Sequence, residues 1–113
     1  MKITLEDHVK FDEARMAKIA LATTERCQLD LYCVAPGQSQ RPHKHEDQDK
    51  IYVVLEGSGR FALAGKEERL GKGEALVAEA GVEHGLFNDG NEPMLVLVMV
   101  TPPPPHGPGA RTS

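Results

Sequence analysis

The chain has 113 residues, a formal net charge of −4, 27% charged residues and 40% hydrophobic residues, which fit one globular domain with a modest core. The mild acidic charge, without a run of Lys or Arg, gives nucleic acid and anionic membranes no electrostatic reason to bind. The start shows no apolar stretch like a signal peptide, and the apolar segment 94–100 is far shorter than the about 20 residues of a transmembrane helix. We therefore expect a cytoplasmic protein in which Cys27 and Cys33 are reduced core residues.

Residues 1–24 are predicted to form an N-terminal segment that contributes an edge strand. Thr4 is a candidate N-cap, and it predicts a short helical turn near residues 4–9. Residues 12–20 have good helix propensity but suit an edge strand equally well, and we expect a strand after about residue 14.

Residues 25–101 are punctuated by Gly, Pro and Asx at short, fairly even intervals, which is typical of an antiparallel β-sandwich or barrel. Segments 51–55 and 94–100 are apolar on both faces, so we expect central strands there. Residues 27–34 alternate between apolar and more polar side chains, which suits a strand with one wetter face. No stretch between residues 30 and 101 has the length and period of a helix. The predicted strands are Gln28–Ala35, Lys50–Glu56, Arg60–Ala64, Glu67–Leu70, Ala75–Ala78, His84–Asn88 and Met94–Thr101.

Residues 102–113 form a Pro-rich tail. Four consecutive prolines cannot donate ladder hydrogen bonds, so we expect the last strand to end near residue 101 and a polyproline II extension to follow. A solvated terminus is favoured over a peptide-recognition segment. His8 and His106 are then isolated surface histidines without a visible partner for a ligand role.

The residues that suggest chemistry are His43, His45 and His84. His43 and His45 are two apart before a strand, so their side chains can share a face, and His84 lies between two later strands. Three neutral imidazoles that converge in a small barrel would bind a divalent transition metal and leave coordination positions open for water or substrate. Alone, a His-x-His pair is better explained by exposed loop histidines.

Two spaced patterns around these histidines resemble the motifs of the cupin superfamily, small β-barrels that hold a metal between two sheets. The first motif runs from a glycine through His-x-His and Glu to a second glycine, and the second runs from a glycine through Pro-x-Gly and His to Asn. The matching positions are Gly37, His43, His45, Lys50 and Gly57 in the first, and Gly73, Glu79, Gly81, His84 and Asn88 in the second. The resemblance implies an all-β cupin fold, a double-stranded β-helix or jelly-roll barrel, with His43, His45 and His84 as metal ligands.

Apart from any family, the glycines suit sharp turns with positive φ, and Asn88 suits a turn residue more than a ligand. Glu79 stands at the motif's proline position and touches no expected ligand.

Lys50 stands where the cupin motif has its carboxylate ligand, so the sequence departs from the family at the site itself. We expect its long side chain to carry the ammonium outward to water or to a rim carboxylate. Two alternatives remain open: a deprotonated Lys50 acting as a catalytic base or nucleophile, and an ammonium that holds an anionic substrate. Glu46, Asp47 and Asp49 are expected to form a solvated rim, although one of them could supply a ligand.

The sequence therefore predicts a small metal-binding cupin with an unassigned substrate. One interpretation is a metal-dependent enzyme of the dioxygenase, isomerase or lyase type, with Mn, Fe, Ni, Cu and Zn equally acceptable as the ion. The alternatives are a non-catalytic module that binds a small ligand in the barrel, and a metal-free scaffold, because Lys50 replaces the motif carboxylate. The apolar strands also predict a two-fold homodimer that pairs through a sheet.

Overall fold

The computed structural model describes residues 1–104 and consists almost entirely of antiparallel β-strands. A short 3-10 helix, Leu5–His8, precedes them. The strands are β1 (Ala17–Thr23), β2 (Gln28–Val34), β3 (Ser39–His43), β4 (Asp49–Glu56), β5 (Ser58–Leu63), β6 (Lys66–Gly71), β7 (Ala75–Ala78), β8 (His84–Phe87) and β9 (Met94–Thr101).

The strands form two antiparallel sheets that pack face to face as a jelly-roll barrel. One sheet has five strands in the order β1-β2-β9-β4-β7, and the other has four in the order β3-β8-β5-β6. The core between them is aromatic and aliphatic, with Tyr32, Tyr52, Phe61, Val96 and Val98 fully buried. The predicted all-β jelly-roll fold is thus confirmed.

Eight of the nine observed strands overlap the predicted ones, and the two apolar segments form β4 and β9, in the interior of the five-stranded sheet. The helical turn appears as the 3-10 helix with Thr4 at its N-cap position, but the Thr4 side chain makes no capping hydrogen bond. β1 begins at Ala17 and lies at the edge of its sheet. Strand β3 was not predicted, because its sequence, Ser-Gln-Arg-Pro-His, lacks both apolar alternation and strand-forming residues.

The polar face of β2 turns inward, which corrects the expected orientation of that strand. Gln28, Asp30 and Tyr32 point into the barrel and are buried, and the Gln28 amide donates to the Asp30 carboxylate at 3.1 Å. Asp30 lies beside Val98 of β9, which in turn lies beside Tyr52 of β4. The wetter face of β2 therefore belongs to an interior that contains polar groups.

The outer face of the same sheet is apolar. One cross-strand row consists of Leu29, Met99, Ile51 and Val77, and the next consists of Ile19, Leu31, Leu97 and Val53. The N-terminal segment covers one end of this face, where Leu5 and Val9 border a groove with Leu31, Leu55 and Leu95. Val77 at the other end keeps 54% of its surface exposed.

Turn glycines occupy the predicted positions, since Gly37, Gly57, Gly73 and Gly81 all have positive φ. At Gly57, φ is +79°, and a Cβ would lie 2.5 Å from the carbonyl oxygen of Pro93. Both the backbone conformation and the lack of space therefore exclude a side chain at this position. In β8, a Cβ on Gly85 would lie 2.7 Å from the carbonyl oxygen of Gln40. The glycine that follows His84 therefore lets β3 approach β8 closely.

Candidate metal centre and barrel interior

Two strands and one loop bring the three predicted histidines together. His43 ends β3, His84 begins β8, and the two are direct partners in the antiparallel register of these strands. His45 lies beyond the end of β3, and its carbonyl oxygen accepts a hydrogen bond from the Gly81 amide at 2.8 Å. His43 and His45 were expected to share one face of a strand, and this was wrong because His45 does not lie in a strand. Its position is fixed by the loop after β3 and by the hydrogen bond from Gly81.

The imidazole rings form a compact triangle. The ring centroids of His43 and His84 are 4.5 Å apart, those of His43 and His45 are 4.9 Å apart, and those of His45 and His84 are 5.8 Å apart. One potential ligand atom from each ring lies within 4.8 Å of the others. Three nitrogens that each bind one ion at about 2.0–2.1 Å lie at most about 4.2 Å apart, so the rings would close slightly around a bound ion.

Backbone carbonyls fix the orientation of two rings. Nδ1 of His43 lies 2.8 Å from the carbonyl oxygen of Arg41, and Nδ1 of His84 lies 2.9 Å from that of Val82. A carbonyl only accepts, so each Nδ1 carries the proton and each Nε2 keeps a lone pair. Both Nε2 atoms are buried and have no hydrogen-bond partner among residues 1–104. A buried acceptor without a partner is costly, and an ion at the centre of the triangle would satisfy both.

Burial favours the neutral, ligand-competent form of His43 and His84. Burial lowers the pKa of His84 to about 4, against the opposing effect of the Val82 hydrogen bond, and the charge on Lys50 lowers it further. Burial also lowers the pKa of His43, with the same opposition from the Arg41 carbonyl and the same help from Lys50. Neutral imidazole is the form that binds a metal, so the donor set fits a divalent transition ion.

Lys50 points into the barrel, so the expectation that it turns outward was wrong. Its side chain is only 1% exposed, because β4 places it in the inward-facing row with Tyr52 and Val54. The ammonium lies 5.2 Å from the ring centroids of both Tyr32 and Tyr52. Burial, helped by the charge on Lys18 and opposed by Asp30, lowers the pKa of Lys50 to about 7.

Gln40 organises the polar groups around Lys50. Its Oε1 accepts a 2.7 Å hydrogen bond from the Tyr52 hydroxyl and a longer one, 3.5 Å, from Lys50 Nζ. Its Nε2 donates to the Tyr32 hydroxyl at 3.4 Å. Sequence reasoning missed Gln40 together with its strand, but the alternation that puts Lys50 inside β4 could have placed Tyr52 beside it.

The acidic residues of the loop stay at the rim. Glu46 is exposed and pairs with Lys44 at 3.6 Å, and exposed Asp49 accepts a hydrogen bond from the Ala80 amide at 2.9 Å. Asp47 is also exposed. Within residues 1–104, the potential metal-holding cluster contains the three histidines alone.

Two further predicted residues have structural roles. The Asn88 side-chain amide donates to the carbonyl oxygens of Val34 and Glu92, both at 2.9 Å, so Asn88 is a turn residue as expected. Cys33 is a buried thiol whose pKa is raised by burial, which fits a core cysteine.

The other two histidines lie apart from the cluster or outside the described residues. His8 lies at the end of the 3-10 helix, and His106 lies outside the described residues. Within the described part of the chain, no helix has the length and apolarity of a membrane span.

Two characterised proteins are similar to this chain in sequence. The chain is 38% identical over 69 residues to the tetracenomycin polyketide synthase protein TcmJ of Streptomyces glaucescens, an alignment that covers 61% of this chain and 46% of that protein. It is 34% identical over 65 residues to the oxalate-binding protein of Thermotoga maritima, which covers 58% of this chain and 54% of the relative. The chain thus spans about half the length of these two relatives.

A solved structure from Thermus thermophilus superimposes with a TM-score of 0.86 at 39% sequence identity, over 90% of this chain and 98% of that one. The model of the Cupin domain family matches residues 30–100, which include all three histidines and Lys50. Because the match extends from β2 to the end of β9 and the fold agrees with it, the chain belongs to the cupin family.

Proposed function

We propose that this cupin binds one divalent transition metal through Nε2 of His43, His45 and His84. The observation that carries the proposal is the pair of buried Nε2 atoms on His43 and His84, whose Nδ1 atoms are already committed to backbone carbonyls. Such an orientation is what a metal-binding histidine requires, and a ring buried for packing alone gains nothing from it.

The bound ion would act as a Lewis acid or a dioxygen-binding centre, with coordination positions left open by a set of three protein ligands. The chain's own residues would orient the ligand and exclude water. The interior face formed by Gln40, Lys50 and Tyr52 would orient a small molecule, and the surrounding apolar core would keep bulk water out. The similarity to an oxalate-binding protein supports a small carboxylate as the ligand class. Mn, Fe, Ni, Cu and Zn all accept imidazole ligands, and the donor set does not choose among them.

Two roles fit this arrangement. As an enzyme of the dioxygenase, isomerase or lyase type, the protein would use the ion for catalysis, with Lys50 as the candidate acid or base. As a binding module, it would hold the carboxylate without changing it. We propose either role for a cytoplasmic homodimer that pairs through the apolar outer rows of the five-stranded sheet, where Val77 is 54% exposed.

A metal-free scaffold is the second candidate, and Lys50 favours it. A buried ammonium stands where the family's motif has a ligand carboxylate, and it disfavours a cation nearby by several kcal/mol at ~4 Å if the effective dielectric constant is about 20.

Elemental analysis of protein purified without a chelator separates the two candidates. A metal content near one ion per chain supports the three-histidine centre, and its loss in His84→Ala, with full content in His8→Ala, assigns the ion to this site. Protein without metal that also fails to take up Mn²⁺ or Zn²⁺ in calorimetry would refute the metal proposal and leave the scaffold. A screen of small carboxylates with product analysis then distinguishes an enzyme from a module.

A further inference from the structure

The barrel interior places one cation, Lys50, near the histidines of the proposed metal centre. Lys50 lies close enough to the histidine cluster for its charge to lower the pKa of both His43 and His84. The Tyr52 ring separates them, with Lys50 Nζ at 5.2 Å from its centroid and the His84 ring at 6.0 Å. Lys50 and His84 are therefore both neighbours of the Tyr52 ring.

Lys50 shares the interior with one buried counter-charge, the Asp30 carboxylate, which raises the pKa of the lysine. An ammonium has three donors, and the contact to Gln40 Oε1 is long at 3.5 Å. The two tyrosine rings add cation–π attraction, which helps a desolvated cation but leaves its hydrogens unbonded. The long contact to Gln40 Oε1 therefore leaves donor capacity on the ammonium.

Charge balance indicates what would use it. Three neutral histidines contribute no charge, so a divalent ion and a protonated Lys50 beside the Asp30 carboxylate leave a net charge of about +2, whereas a carboxylate in place of Lys50 would have balanced the ion. An anion between the two cations is attracted by both and screens their repulsion. A neutral ligand would leave the repulsion in place.

We propose that Lys50 is a specificity-determining residue that binds one carboxylate of a small dicarboxylate ligand, while the other carboxylate binds the metal at the histidines. The proposal rests on the metal centre proposed above. Gln40 is the positioning residue for this contact, because its Oε1 is fixed by the Tyr52 hydroxyl at 2.7 Å and lies against the ammonium.

The experiment compares oxalate with oxamide, its neutral analogue of the same size and shape. Calorimetry measures both probes on Mn²⁺-loaded wild-type protein, on Lys50→Met, which keeps the length of the side chain and removes the charge, and on Lys50→Glu. Lys72→Met is the matched control, because Lys72 is exposed and pairs with Glu56 on the surface. Mn²⁺ affinity is measured for every variant, and a thermal melt checks that each is folded.

We expect Lys50→Met to weaken oxalate binding about 10- to 100-fold, as expected for loss of a buried charged hydrogen bond. Lys72→Met should match wild type, and oxamide should bind weakly to all. Lys50→Glu should bind Mn²⁺ more tightly than wild type, because it restores the motif's carboxylate, but should lose oxalate. The ratio of oxalate affinity to oxamide affinity in the wild-type protein tests, without any variant, whether the ligand must be an anion.

The two proposals can fail separately. Wild-type protein that binds Mn²⁺ but prefers oxalate no more than oxamide, or whose oxalate affinity survives Lys50→Met, overturns the role of Lys50 and leaves the metal centre intact. Wild-type protein that binds no metal refutes the metal centre and the two-point binding that depends on it. Oxalate titrated into that metal-free protein then decides whether Lys50 holds an anion alone: loss of binding in Lys50→Met would support this, and no binding would overturn it.

Discussion

The two faces of the five-stranded sheet reverse the usual distribution of polarity. An ordinary sheet at a surface has an apolar inner face and a polar outer face, whereas here the outer face is apolar and the inner face contains charged groups. The outer face has rows of aliphatic side chains such as Leu29, Met99 and Ile51. The inner face places Asp30 and Lys50, each 1% exposed, among the tyrosines and valines of the core. Buried charges are costly even when they are paired, so their presence inside indicates a site and not a device for stability. The apolar exterior, in turn, is the surface through which we propose that the homodimer forms.

The largest expected effect concerns the histidines of the inner face. His43→Ala or His84→Ala should reduce metal affinity by at least about a hundredfold, because each removes one of three ligands in a single site. Metal content after dialysis measures this, with His8→Ala as the control. Equal occupancy in all these variants would contradict the shared site.

The second effect concerns stability, since Lys50 should destabilise the fold. Its pKa is about 7 in the folded chain, lowered by burial and by Lys18 against Asp30, and near its ordinary 10.5 when unfolded. Between these values the unfolded chain binds more protons, so wild-type stability should rise with pH by at most about 1.4 kcal/mol per unit. Lys50→Met should therefore be more stable by a few kcal/mol at about pH 7, and the gain should shrink near pH 10.

Urea denaturation of wild type and Lys50→Met at both pH values measures this difference. Lys72→Met serves as the control, because its exposed ammonium should change the unfolding free energy little at either pH. A lower stability of Lys50→Met at neutral pH would show that the interior depends on the ammonium.

The third effect tests the outer face. Val77 is 54% exposed at the end of the Leu29–Met99–Ile51 row, so Val77→Glu leaves the core intact and puts a charge on the proposed interface. We expect it to raise the dimer dissociation constant about tenfold or more, as a desolvated charge in an apolar contact does. Sedimentation at micromolar concentration measures it, and Lys66→Glu on the other sheet is the control. A wild-type monomer under these conditions would overturn the dimer.

The smallest effect is expected at the rim. Glu46→Gln, Asp47→Asn and Asp49→Asn should change metal affinity by no more than about two- to threefold, because these carboxylates are exposed and screened by water. Calorimetry with Zn²⁺ checks this. A tenfold loss in one of them would mean that the loop carboxylate reaches the ion.

Much of the fold follows from local sequence. Strands β4 and β9 could be located because their apolar runs are continuous, and the turns could be located because Gly57 and Gly81 need a positive φ that other residues avoid. The motif spacing also placed His43, His45 and His84 in one group, which the structure brings together. These features are encoded over short distances, where pattern and geometry are closely linked.

The direction and surroundings of single side chains required the tertiary structure. The sequence placed Lys50 at a ligand position, but its burial depends on Tyr32, Tyr52 and Gln40 from three strands of two sheets. The inward turn of Asp30 likewise depends on which face of β2 meets the second sheet, and alternation alone does not say which face is covered. The sequence by itself thus determined every strand except β3, the turns and the histidine group, while only packing between the sheets decided that a lysine shares the barrel interior with the histidines.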